Sequence, residues 1–178
     1  MKKAVVCIMI LALALGLTSC MGGSETETFT VNGVNGGAMS ITLEGNFKQY
    51  DPIEEIGTYN AILDSSDAKI IVIDQSADGV KGLGDVGEDQ NVLDAMLEFG
   101  DQMASELGLQ EGVTYDEETG LLYVVHDMTV IVTETTCVCY IYYANGRIWL
   151  VEMMATADNF TQMKPTFDEW AMSVEFSK

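Results

Sequence analysis

The chain has 178 residues, of which 28 are Asp or Glu, only 8 are Lys or Arg, and 48% are hydrophobic. Lys2 and Lys3 lie in an N-terminal segment that we expect to be removed, which leaves 28 acids against 6 bases, a formal charge of −22. Such a charge repels phosphate backbones and anionic headgroups, so it argues against nucleic-acid binding and against electrostatic docking on lipid. The remaining length, about 160 residues with many apolar side chains, predicts one compact domain.

The first twenty residues have the features of a secretion signal. A basic start is followed by an uncharged apolar run over residues 4–17, which is too short to span a membrane. The run ends in Leu17, Thr18, Ser19 and Cys20, which resembles the lipobox of bacterial lipoproteins. That resemblance implies a lipoprotein signal peptide over residues 1–19 and a palmitate-type lipid anchor on Cys20. An ordinary signal peptide with an incidental cysteine is the alternative.

A short spacer and a globular domain are predicted to follow. Residues 21–38 are rich in Gly, Ser, Thr and Asn, with little apolar periodicity. This composition is typical of flexible linkers. We therefore predict a flexible tether over residues 20–37 and one domain over residues 38–178. The lipid anchor would hold this domain on the cell membrane or outer envelope membrane, facing away from the cytoplasm.

Three apolar segments open the predicted domain. Residues 39–43 alternate polar and apolar side chains, which predicts a strand with one buried face. Residues 59–63 predict a second strand. Residues 69–73 form a nearly continuous aliphatic run, which predicts a strand buried on both faces.

The acidic, glycine-rich loop over residues 74–89 is the best cation candidate in the sequence. Calcium takes about six to eight oxygen ligands and tolerates a flexible backbone. The loop offers five carboxylates, those of Asp74, Asp78, Asp85, Glu88 and Asp89. It lacks the spacing of an EF-hand, and a solvated surface loop is the alternative in so acidic a chain.

A helix is predicted over residues 91–107. Val92, Met96, Phe99 and Met103 fall at helical spacing, acidic residues lie on the opposite side, and Gly108 is placed to end the helix. A hairpin over residues 113–125, with its turn at residues 116–120, is predicted next.

The strongest local signal is the pair Asn145-Gly146 between two long apolar segments. This pair favours a type I′ turn, in which both central residues need a positive φ. A two-residue loop fixes the register, so that Ala144 faces Arg147 and Cys139 faces Glu152. Both faces of the resulting hairpin are apolar, and both need cover. We therefore predict an α+β fold, an α/β/α sandwich with a central antiparallel sheet covered by helices on both faces.

The last segment predicts the second covering helix. Asp158 is placed to cap it, and Phe160, Phe167 and Trp170 keep helical spacing. Pro165 is predicted to divide it into a short first turn and a second helix. Residues 173–176 then predict a final extended piece.

The order of these elements resembles a known group of proteins. The strings RIWLVE (147–152), ATADNF (155–160), PTF (165–167) and SVEF (173–176) contribute to the likeness. Over roughly residues 38–178 the chain resembles the Mog1/PsbP-like group, including the DcrB-like bacterial lipoproteins. The resemblance implies an α/β/α sandwich and an accessory or binding role in place of an enzymatic one. It carries over no functional residue.

Other chemistry-bearing residues favour structural roles. His126 and Asp127 are strand neighbours whose side chains point to opposite faces, so they cannot form the orienting bond of a catalytic triad. Cys137 and Cys139 are predicted to be buried thiols, with a redox pair or a half-site for a soft metal as alternatives. A zinc site would need these cysteines to converge with His126 and Glu152, but cysteines at this spacing on a flat strand splay too widely.

One aromatic cluster leaves two interpretations open. Tyr140, Tyr142 and Trp149 share a face of the predicted hairpin. We expect them to be core residues beneath a helix, because cross-strand aromatic pairs are usually buried there. If that face were uncovered, the rings could stack on a sugar or a peptide.

The sequence therefore predicts a membrane-anchored envelope lipoprotein that acts as a non-enzymatic binding or accessory module for a protein or small ligand. No cofactor is predicted, and the expected partners are the membrane, through the lipid on Cys20, and an envelope protein. The alternative is a calcium- or other cation-responsive lipoprotein that uses the 74–89 loop. A hydrolase is least favoured, since no nucleophile–base motif is present.

Overall fold

The fold is built on a large antiparallel sheet with a smaller sheet beside it. The computed structural model describes residues 25–34, 36–50, 60–78, 80, 83, 92–130 and 133–178. Within these residues the elements are β1 (Thr26–Asn32), β2 (Ala38–Glu44), β3 (Lys48–Tyr50), β4 (Ala61–Asp64), β5 (Lys69–Ser76), α1 (Val92–Glu106), β6 (Thr114–Tyr115), β7 (Leu122–Val130), β8 (Thr133–Ala144), β9 (Arg147–Thr156), α2 (Ala157–Met172) and β10 (Glu175–Ser177). The large sheet has the order β3-β4-β5-β9-β8-β7-β6, and the small sheet has the order β1-β2-β10.

The β8–β9 hairpin forms the centre of the large sheet, in the predicted register. Ala144 faces Arg147 and Cys139 faces Glu152. The turn residues Asn145 and Gly146 have φ values of 55° and 74°. Both central positions are therefore left-handed, as a type I′ turn requires, and the local sequence signal is confirmed.

The two faces of the large sheet are both covered, which confirms the α+β layered architecture. On one face, Val138, Tyr140 and Val151 pack with Phe167 and Trp170 of α2. On the other face, residues of β7, β8 and β9 pack with α1. The prediction of helices alone as the cover is incomplete for the first face, because the small sheet also covers it beside α2. The small sheet contributes three fully buried side chains, those of Met39, Ile41 and Leu43.

The predicted tether is wrong over its second part. Residues Thr26–Asn32 form β1, which pairs with β2 along its whole length. Phe29 and Val31 are 7% and 1% exposed and belong to the core. Their alternation with polar residues is a strand pattern that the abundance of Gly, Ser and Thr around it obscured. Residues 20–24 lie outside the described part of the chain.

β5 departs from the prediction of equal burial on both faces. Ile70 and Val72 are fully buried on the α2 side, whereas Ile71 and Ile73 are only half-buried. Helix α1 packs on β7 and β8, so among the described elements it gives this part of the sheet less cover.

Helix α1 matches its predicted range but buries a different set of residues. Ala95, Gly100 and Ala104 form its most buried line, and the larger Met96, Phe99 and Met103 flank that line and stay half-buried. At Gly100 an added Cβ would lie 2.6 Å from a methyl carbon of Val113. Small residues therefore let the helix approach its neighbours closely, while the large residues seal the edges.

Helix α2 runs without division through Pro165, so the predicted break is wrong. Pro165 and Thr161, whose carbonyl the proline leaves without its helical donor, are both exposed, and water can satisfy that carbonyl. The predicted cap is also wrong by two positions, because Thr156 occupies the N-cap and Asp158 lies in the first turn. The expected final strand is confirmed as β10, which pairs with β2.

Candidate functional site

The candidate site is built around Arg147, the only arginine in the chain. Asp74 on β5 lies directly opposite Trp149 on β9, and Ser76 lies opposite Arg147. Residues two apart on a strand share a face, so these four side chains lie on the α2 side of the large sheet. The side chain of Asp74 is completely buried and that of Arg147 is 12% exposed.

Arg147 and Asp74 form a hydrogen-bonded ion pair. Arg147 Nε donates to Asp74 Oδ1, and Nη2 donates to the backbone oxygen of Asp74 at 3.4 Å. The backbone N–H of Val34 donates to Asp74 Oδ2 at 2.7 Å. Both carboxylate oxygens therefore have donors, which is the condition under which a buried charge is tolerated.

The same carboxylate holds the β1–β2 turn against the large sheet. Besides the bond from Val34, Asn60 bridges the two sheets, because its Oδ1 accepts from the Asp74 N–H at 2.7 Å and its Nδ2 donates to the Asn32 oxygen at 3.0 Å. At Gly33 a Cβ would lie 2.7 Å from Asp74 Oδ2. Glycine is therefore required for the turn to approach this closely.

A surface pocket of about 640 Å³ lies beside the ion pair. Its walls come from the β1–β2 turn, the end of β5, the β8–β9 turn and the C-terminal segment. The described residues that line it are Gly36, Gly37, Ser76, Asp78, Asn145, Gly146, Arg147 and Lys178. The volume falls within the range of small-molecule sites, about 300–1,000 Å³. The pocket, referred to below as the Arg147 pocket, is therefore large enough for a metabolite.

The charges of the Arg147 pocket differ from those of the rest of the chain. Arg147 and Lys178 are two of the six bases outside the predicted signal segment. Asp78 is the acid among the described lining residues, and neither Asp78 nor Lys178 forms an ion pair with any described residue. The pocket therefore presents an unpaired cation and an unpaired anion next to a guanidinium that one carboxylate already orients.

The structure gives the described residues among the predicted calcium ligands different surroundings. Asp74 is committed to Arg147 and Val34, which differs from the calcium-ligand role predicted for it. Asp78 is exposed and lies at the Arg147 pocket. Asp85, Glu88 and Asp89 lie outside the described residues. Calcium binding by this segment stays a prediction.

Cys137 and Cys139 are buried free thiols on the α1 side of the sheet, with exposures of 0% and 1%. Burial, with a smaller contribution from Glu152, raises the pKa of both thiols well above the ordinary range. The thiolate is the reactive form, so neither cysteine is set up as a nucleophile. His126 lies opposite Cys137, and Glu152 opposite Cys139, but nowhere in the described ranges do three His, Cys, Asp or Glu side chains come close enough to hold a metal ion.

The aromatic face of the β8–β9 hairpin is core, as one of the two interpretations predicted. Tyr140 Oη donates to Asp168 Oδ1 at 2.8 Å, and Tyr142 Oη donates to the backbone oxygen of Ala171 at 2.9 Å. Both acceptors belong to α2, and burial raises the pKa of both phenols. Trp149 is 2% exposed. These rings are therefore not available to stack on a ligand.

The architecture defines a class of protein: a large antiparallel sheet with α1 on one face and α2 plus a small sheet on the other. Solved structures that share it include the following two. Cyanobacterial PsbP (CyanoP) from Synechocystis sp. PCC 6803 is similar with a TM-score of 0.54 and 15% identity, over 92% of this chain and 99% of that one. A protein from Bacteroides thetaiotaomicron VPI-5482 is similar with a TM-score of 0.53 and 10% identity, over 89% of this chain and 50% of that one.

The chain has the PsbP/Mog1-like fold that its sequence resembled. LpqN of Mycobacterium tuberculosis, a protein involved in cell envelope biogenesis, is more distant, with a TM-score of 0.46 and 9% identity over 86% of this chain and 92% of that one. No protein-family model and no curated protein matches the sequence. Among the described helices, none is long and apolar enough to cross a bilayer.

The sequence did not single out the Arg147 pocket. Its residues come from four segments that are distant in the chain, and Ser76, Asn145 and Lys178 are ordinary surface residues when considered singly. Two signals were available: the chain has a single arginine, and Asp74 ends an aliphatic strand. A buried carboxylate at the end of a strand often needs a partner of opposite charge. Arg147 is the single arginine that could be this partner for Asp74.

Proposed function

We propose that this protein is a lipid-anchored, non-enzymatic binding module of the bacterial envelope. The observation that carries the binding role is the Arg147 pocket, whose described lining residues offer charges of both signs and no nucleophile–base pair. The anchor is supported by residues 17–20, with Cys20 as the thiol that receives the lipid. The PsbP/Mog1-like fold supports the proposal only by analogy, since one fold hosts many functions.

The anchor is tested by metabolic labelling of the full chain, expressed in a bacterial host with a palmitate analogue. We expect wild-type protein to carry the label and to sediment with membranes. Cys20→Ala should lose the label completely, because no other thiol occupies the lipobox position. Cys7→Ala is the matched control, since Cys7 lies inside the predicted signal segment and its loss should change nothing. A Cys20→Ala protein that keeps its label would overturn the anchor.

A further inference from the structure

We propose that the Arg147 pocket binds a small zwitterion, with its carboxylate against Arg147 and Lys178 and its ammonium against Asp78. This inference rests on the binding role proposed above and names the ligand class. A free amino acid or a short peptide would supply the required pair of charges.

The charge balance of the pocket argues for a ligand that is neutral overall. Among the described residues, Arg147 is paired with Asp74, whereas Lys178 and Asp78 line the pocket with opposite charges and form no ion pair. The chain as a whole carries a formal charge of −20, which opposes the approach of an anion. A zwitterion escapes that repulsion and still satisfies the two unpaired charges, Asp78 and Lys178.

Arg147 is oriented for carboxylate recognition. Its Nε and Nη2 are engaged by Asp74, while its Nη1 makes no hydrogen bond with the part of the chain that the structure describes. A planar guanidinium presents two donors in a geometry that matches a carboxylate, and a fixed guanidinium loses little side-chain freedom on binding.

The rest of the lining leaves room for a ligand. An added Cβ at Gly36 or Gly146 would meet nothing within 4 Å, so both glycines border open space and let a ligand approach the backbone. Ser76 and Asn145 add a hydroxyl and an amide. These neutral groups can hydrogen-bond the polar body of an amino acid or peptide.

The proposal is tested by titrating the ¹⁵N-labelled full chain in detergent micelles with three related probes. Glutamine has both charges, N-acetylglutamine has only the carboxylate, and glutaminamide has only the ammonium. We expect saturable shifts of the Gly36, Gly37 and Gly146 amide signals with glutamine, and at least tenfold weaker binding of the other two, since a charged hydrogen bond contributes about 1.5–3 kcal/mol. Alanyl-glutamine, titrated in parallel, distinguishes a peptide from a free amino acid as the source of the zwitterion.

Three variants locate the effect. Asp78→Asn should remove the preference for glutamine over N-acetylglutamine, and Lys178→Gln should weaken binding of both. Both side chains are exposed, so the fold is expected to persist. Asp67→Asn is the matched control, because this exposed carboxylate lies at the opposite end of β5.

Equal responses to the three probes, or no saturable response of these glycines to glutamine or alanyl-glutamine at millimolar concentrations, would overturn the ligand class. The palmitate label is read separately. A labelled protein without zwitterion binding therefore overturns this inference and leaves the anchor standing.

Discussion

Glu152 is a half-buried carboxylate on the α1 side of the large sheet. It lies opposite Cys139 on β8 and Ile71 on β5. Burial raises the pKa of Glu152, and the attraction of His126 partly offsets that increase. The sequence predicted its position opposite Cys139, but its degree of burial depends on how far α1 extends over the sheet.

The raised pKa of Glu152 predicts a pH-dependent stability. A carboxyl with a higher pKa in the folded state binds protons more readily there than in the unfolded chain. The free energy of unfolding should therefore fall as pH rises from the ordinary pKa of glutamate through the raised folded value. We expect Glu152→Gln to remove this loss. Urea unfolding curves collected across that pH window measure it.

Glu117→Gln is the matched control, because it removes the same charge at an exposed position in the turn before β7. If the free energy of unfolding has the same pH dependence in wild type and in Glu152→Gln, then burial does not raise the pKa of Glu152.

At the scale of elements, local signals succeeded where one segment determines its own conformation. The Asn145-Gly146 turn fixed a register that continues along the whole β8–β9 hairpin, because each residue of a ladder determines the pairing of the next. β1 shows the opposite case. Its two buried residues, Phe29 and Val31, are too few to indicate a strand by themselves. The backbone pairing with β2 is what holds this segment in an extended conformation.

Helix α2 shows how tertiary contacts override a local breaker. Phe167 is fully buried, and Trp170 and Ala171 are nearly so. Phe47 and Trp170 meet edge to face, with ring centroids 5.3 Å apart. This burial follows Pro165, so the helix gains more from continuing than it loses at the proline.

Replacing that proline should stabilise the protein. Pro165→Ala restores an N–H donor to the helix interior, where proline costs about 3 kcal/mol, while a freer unfolded chain returns about 0.4–1 kcal/mol of that gain. We expect the free energy of unfolding to rise by about 2 kcal/mol in urea denaturation. The control is Glu169→Ala at another exposed position of the same helix, which should change stability by only a few tenths of a kcal/mol. No gain for Pro165→Ala would mean that the helix has already adapted to the proline.

At the scale of the whole molecule, the ion pair of Asp74 and Arg147 joins three parts of the chain. It links β5 to β9 within the large sheet, and through Val34 it fastens the β1–β2 turn to that sheet. The pair therefore contributes both to the Arg147 pocket and to the placement of the small sheet.

Arg147→Gln should destabilise the protein strongly, because it leaves the Asp74 carboxylate buried without its cation. Removal of one partner of a buried pair typically costs about 3–5 kcal/mol. The urea midpoint of the variant reports this loss. The double variant Asp74→Asn/Arg147→Gln removes both charges and should recover a large part of it. A single variant as stable as wild type would mean that water reaches Asp74 in the folded state.

The sequence by itself determined the two-sided central hairpin, both helices, the PsbP/Mog1-like layering and the burial of the two cysteines. The hairpin, the helices and the buried cysteines follow from periodicity or turn chemistry within one continuous segment, whereas the PsbP/Mog1-like layering followed from a resemblance. Only the tertiary structure decided that β1 belongs to the fold, that α2 continues through Pro165 and that Asp74 pairs with Arg147. These features depend on contacts between separate elements, which no single segment encodes. Val34 and Arg147, for example, lie 40 and 73 positions from Asp74 in the chain.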